Sequence, residues 1–98
     1  MSWQCSIRLV NEEGDPISGI KVHINFSFWT GFDSVRTDDD GWAHFEYESI
    51  DKPELYAETI WAALKVFPSI VDLTLAEGVS IENGETMSFT VTDEDWSG

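Results

Sequence analysis

The side chains with the most obvious chemistry are His23, His44 and the aspartates at 38–40. A histidine with a nearby carboxylate, such as His44 with Glu46, forms a general acid–base pair if the fold brings them together. Two histidines without a third ligand at fixed spacing make a weak metal site. The sequence has no nucleophile motif, Gly-rich phosphate loop or Cys/His metal spacing, so both read as surface histidines and no cofactor is expected. Asp38, Asp39 and Asp40, with Asp33, Asn11 and Asp15, offer oxygen ligands of the kind calcium takes, but not at EF-hand spacing. The competing reading is that Asp40-Gly41 builds a tight turn and the other acids are solvated.

The tryptophans are the other candidates. Trp29 and Trp42 fall on the outward parity of their predicted strands, Trp61 near the polar edge of a predicted helix, and Trp96 in the tail. Exposed tryptophan supplies apolar area with a polar handle and marks a sugar or protein contact. The alternative is that a helix or loop covers them. The candidate binding face is Trp29, Trp42, His44 and Trp61.

These residues must be positioned by short strands. Trp3, Cys5, Ile7 and Leu9 alternate with Gln4, Ser6 and Arg8, the period of a half-buried strand that points Cys5 inward. The turn formers of residues 11–16 end it. Ile20, Val22, Ile24, Phe26 and Phe28 then alternate with mostly polar residues, the clearest strand in the chain. Thr30-Gly31 turns the chain into a short strand from Phe32 to Thr37. Beyond the 38–41 turn, Ala43, Phe45 and Tyr47 alternate with Trp42, His44 and Glu46.

Residues 52–66 break this pattern and predict a helix. Asp51 and Glu54 have capping-box spacing with Pro53 in the first turn. Leu55, Tyr56, Ile60, Ala63, Leu64 and Phe67 share one helical face, and Pro68 stops it. A strand reading also exists, with Ile60, Ala62, Leu64 and Val66 on one face. Ile70–Ala76 and Val79–Glu82 read as strands, and Glu85–Thr92 as the last, joined to its predecessor by Asn83-Gly84, a two-residue hairpin signal. The tail, 93–98, reads as frayed. The sum is a mainly β, seven-stranded antiparallel sandwich with one helix, in a single domain over 1–98.

Nineteen acids against five bases give a net charge of −14. Such a surface repels nucleic-acid phosphates and anionic lipid, excluding direct contact with either, and favours a basic protein partner. It also serves plain solubility. Cys5 is the only cysteine, and there is no basic region followed by an apolar run, so the expectation is a reducing, cytoplasmic location.

Two stretches carry a family resemblance: Val10-Asn-Glu-Glu-Gly14-Asp-Pro16-Ile17-Ser-Gly19-Ile-Lys-Val22 and Thr37-Asp-Asp-Asp40-Gly41-Trp-Ala43-His-Phe45. They resemble the turn motifs of carboxypeptidase-regulatory-like domains and the wider transthyretin-like (prealbumin-like) sandwiches, over about half the chain. Val79 through Val91 resembles that group's last hairpin. The resemblance implies an Ig-like or prealbumin-like sandwich with one of three roles. The hydroxyisourate hydrolase branch uses histidines, an arginine and a terminal Tyr-Arg-Gly-Ser. Here His23, His44, Arg8 and Arg36 are present, but the last residues are Asp-Trp-Ser-Gly. A collagen-adhesin class forms Lys–Asn isopeptide bonds, which need a desolvated amine, and Lys21 points away from the core.

The third role, a non-enzymatic accessory or adhesive module for protein–protein contact, fits best. The principal alternative is an acidic decoy from a phage or mobile element that occupies a basic nucleic-acid-binding site. A small hydrolase or a calcium-binding sandwich comes third. Exposed sheet edges also allow a homodimer by strand addition.

Overall fold

Alternation of apolar and polar residues governs the fold. The computed structural model describes residues 2–27, 33–48, 50, 52–66 and 69–92. It contains β1 (Ser2–Val10), β2 (Lys21–Phe26), β3 (Asp33–Arg36), β4 (Trp42–Glu48), β5 (Glu54–Val66), β6 (Ser69–Glu82) and β7 (Glu85–Thr90). They form a three-stranded sheet in the order β4-β1-β7 and a four-stranded sheet in the order β3-β2-β5-β6. One hydrophobic cluster joins the inner faces, drawing Trp3, Cys5, Ile7, Leu9 and Phe45 from the first sheet. Val22, Ile24, Phe26, Ile60, Ala62 and Leu64 come from the second. No helix long and apolar enough to cross a membrane occurs among the described residues.

The apolar flank predicted along the second strand is buried as expected: Ile20, Val22, Ile24 and Phe26 are at most 9% exposed, and Phe28 lies outside the described residues. Cys5 is also inward, 1% exposed. Burial, aided by the nearby Glu85 carboxylate, pushes its thiol up to about 12. Because the thiolate is the reactive form, Ellman's reagent should not titrate Cys5 in the folded protein within minutes, and should titrate it fully in denaturant. Fast native labelling would show that β1 opens readily.

Four expectations are corrected. The helix over 52–66 is not formed; Glu54–Val66 is β5, hydrogen-bonded to β2 on one side and β6 on the other. Leu55 and Ala57 point inward, and so do Ile60, Ala62 and Leu64, so the inward parity changes from odd to even. The β2–β5 register shifts there, with Asn25 opposite Thr59 and Phe26 opposite Ala57, leaving Glu58 as the extra residue of a bulge. A strand with a one-residue phase slip places apolar residues at both parities, which imitates helical spacing.

Ile70–Ala76 and Val79–Glu82 are not separate strands but one, β6. Gly78, at φ +61°, bends the chain within it without ending it. Asn83-Gly84 does not close a hairpin ladder. It carries the chain from β6 in one sheet to β7 in the other. The turn is pinned to β1: Gln4 N–H donates to Asn83 Oδ1 (3.0 Å) and Gly84 N–H to the Gln4 carbonyl (2.6 Å). The sandwich is also not wholly antiparallel, because β7 runs parallel to β1. The strand count still reaches seven because β5 replaces the helix while two predicted strands merge.

The two motif stretches lock against each other. Asn11 Oδ1 accepts the N–H groups of Glu13 (3.0 Å) and Asp15 (2.9 Å), closing the first turn. Ile17 N–H donates to the Leu9 carbonyl and Leu9 N–H to the Gly41 carbonyl, joining the first turn to the second through β1. Thr37, 4% exposed, accepts the Ile20 N–H on its hydroxyl at 3.0 Å. These residues therefore build turns, and their spacing records backbone geometry.

Candidate functional site

Antiparallel pairing of β1 with β4 sets Ser6 opposite His44 and Arg8 opposite Trp42. All four lie on the polar parity of their strands, on the outer face of the three-stranded sheet. The Arg8 guanidinium carbon sits 5.8 Å from the centre of the Trp42 ring, within cation–π range. The Trp42 and His44 rings are stacked, 6.0 Å apart at 13°. Arg8 Nε–H also donates to the Asp40 carbonyl at 3.0 Å, which ties it to the 38–41 turn. Trp42 is thus a half-buried aromatic plate with Arg8 across the strand pair and His44 along its own strand.

His44 belongs to a second row. Its Nδ1 is 2.7 Å from Ser6 Oγ, and its Nε2 is 3.8 Å from Asp38 Oδ2. A carboxylate beside Nε2 favours the ring proton there, leaving Nδ1 to accept from the serine hydroxyl. Asp38 stays ionised. The Trp42 N–H, with lesser help from that of Asp40 and the His44 ring, holds its carboxyl below the usual range, against the opposing effect of burial. The row has the residue types of a nucleophile, a base and an orienting acid. It lies on an open sheet face, with His44 63% and Asp38 51% exposed and Ser6 half-buried.

Lowering of the Asp38 pKa on folding has a definite sign. The stability it contributes is present above the unfolded aspartate range, near pH 4, and is lost as pH falls through the lower folded value. D38N removes the charge and keeps an acceptor for the two N–H groups. It should flatten the acid limb of the melting-temperature profile and remain more stable at neutral pH than D38A. Equal neutral stabilities would mean that the turn does not need the acceptor.

Of the four residues predicted as a binding face, the fold brings together Trp42 and His44. Trp61 is on the outer face of the other sheet, on the opposite side of the core, and Trp29 lies outside the described residues. Trp61 instead stacks on His23, 4.9 Å apart at 11°. His23 is on the outward parity as predicted, but it is not a surface histidine: it is only 9% exposed. Burial, with Lys21 nearby, holds its pKa below the ordinary histidine value despite the opposing Asp72 carboxylate.

Three of the six proposed calcium ligands have other duties. Asp38 Oδ1 and Asn11 Oδ1 each accept two backbone N–H groups, and Asp33 Oδ2 accepts the Tyr47 hydroxyl at 2.7 Å. No group of three or more His, Cys, Asp or Glu placed to hold a metal occurs among the described residues. Sequence reading did not place Ser6 or Arg8 on the candidate face. Their outward parity was visible, but only the β1–β4 register shows which β4 residues they meet.

No family model matches the chain, and no curated protein matches it. Among solved structures, a 9R-lipoxygenase from Cyanothece PCC8801 aligns with 93% of the chain at 18% identity and a TM-score of 0.36. The chain spans 16% of that enzyme's length.

Proposed function

We propose that this chain is a non-enzymatic protein–protein interaction module of the transthyretin-like, carboxypeptidase-regulatory-like kind, making its contact through Trp42 on the outer face of the three-stranded sheet. The observation that carries the reading is the plate itself: a half-buried tryptophan packed beside both Arg8 and His44 presents apolar area with little conformational freedom left to lose on binding. The surrounding acids and the net charge of −14 steer a basic partner toward it.

Selection of a displayed random-peptide library on the immobilised domain, counter-selected on W42A, tests this. The expected result is enrichment of peptides rich in Lys, Arg and aromatic residues that lose at least about tenfold in affinity toward W42A, a hot-spot-sized effect. Equal binding to both proteins would remove the reading. If the selected binding instead collapses with salt and DNA competes for it, the acidic-decoy alternative replaces it.

A hydrolase reading has one specific observation in its favour, the Ser6–His44–Asp38 row. It predicts hydrolysis of a p-nitrophenyl ester that S6A abolishes. The interaction reading predicts no difference between S6A and the parent.

A further inference from the structure

Register along the four-stranded sheet places Arg36, Lys21, Ala63 and Asp72 side by side on its outer face, one from each strand. Around the first three is a groove of about 190 Å³, lined by Gly19, Ile20, Lys21, Arg36, Ala63 and Ile70. The small residues Gly19 and Ala63 leave the dip that longer side chains would fill. Ile70 borders it and is 65% exposed, a large apolar side chain left in water. Lys21 and Arg36 are two of only five bases in a chain with nineteen acids. Neither is in an ion pair with the described acids. Arg36 donates from Nη1 to the Gly19 carbonyl at 2.9 Å, which seats the guanidinium at the groove and leaves its other N–H groups available.

We propose that this groove binds a small organic monoanion: a carboxylate held by Lys21 and Arg36, with a short aliphatic body lying over Ala63 toward Ile70. Charge complementarity decides the head group, because the cations stand where the rest of the surface is acidic. The apolar lining decides the body. Asp72, next along the row, decides against a second negative charge at the far end. The site is on the opposite side of the core from Trp42 and is independent of the role proposed for that face.

Hexanoate titrated into the isotopically labelled domain, followed by amide chemical shifts, is the test. Hexanoate should produce saturable shifts at residues 19–21, 36, 63 and 70 in the low-millimolar range. Adipate, hexylamine and inorganic phosphate should each bind at least about tenfold more weakly, the ratio expected when one charged contact or the apolar body is lost. The K21A/R36A double variant should lose the hexanoate shifts, and I70S should weaken them; well-dispersed spectra verify that both variants fold. Non-saturating or scattered hexanoate shifts would overturn the proposal. So would hexylamine binding as well as hexanoate, or undiminished binding to folded K21A/R36A. Should the double variant not fold, the ligand series and I70S decide alone.

Discussion

Substituting Gly41 with alanine is expected to destabilise the protein by about 2–5 kcal/mol, combining roughly 1–2 for a left-handed backbone and roughly 1–3 for overpacking. Gly41 has φ +82°, and a Cβ there would stand 2.6 Å from the Leu9 carbonyl oxygen, with Pro16 Cβ at 3.1 Å. The Leu9 oxygen cannot retreat without moving β1, since it accepts the Ile17 N–H and Leu9 N–H donates to Gly41 itself. Gly14→Ala is the control. Gly14 has a similar φ of +86° but open space around its missing side chain. It should therefore cost only the backbone part, and the difference between the two urea midpoints isolates the clash. Equal losses would mean that the turn relaxes away from β1.

The second large effect is expected at Trp3. It is fully buried and packs edge-on to Phe26, 5.9 Å between ring centres, and against Tyr47 at 6.0 Å. Trp3→Ala should cost about 3–5 kcal/mol, the range for removing a large core aromatic. That is a large part of the roughly 5–15 kcal/mol that holds a domain together. Trp3→Phe should lose less than half as much. It keeps the ring packing and removes Nε1–H, a buried donor with no hydrogen-bond acceptor among the described residues. Denaturant melts followed by far-ultraviolet circular dichroism would read both variants without relying on the tryptophan signal. If Trp3→Phe were as damaging as Trp3→Ala, the indole N–H would have to be satisfied and the account of this corner of the core would change.

Much of the fold was legible where one strand keeps one parity. Among the described residues, β1, β2 and β4 turn inward the residues their alternation nominates, Tyr47 only partly buried, because in a strand with one wet face odd and even positions point to opposite sides. The places of the two turns were equally readable, but the residue that closes the second is Asp38, which accepts the Asp40 and Trp42 N–H groups, where the sequence pointed to Asp40-Gly41 and solvated acids. Legibility ended at Glu58. A bulge there exchanges inward for outward, and a window centred on it mixes both phases. Gly78 had the same effect on β6, where a bend was read as a break.

Local chemistry along the chain thus determined that this is a mainly β protein with an acidic surface, an inward Cys5 and turns at residues 11–16 and 38–41. Which strand lies beside which was decided only by the tertiary structure. That choice took Asn83-Gly84 from a hairpin to a link between sheets and set β7 parallel to β1. It put Arg8 and Ser6 against Trp42 and His44, sent Trp61 to the far side over His23, and gathered Lys21, Arg36 and Ile70 around one groove. The physical reason is range. Alternation and turn preference act over a few residues, whereas a shared face is made by residues tens of positions apart, and their register follows from the joint burial of both sheets in one core.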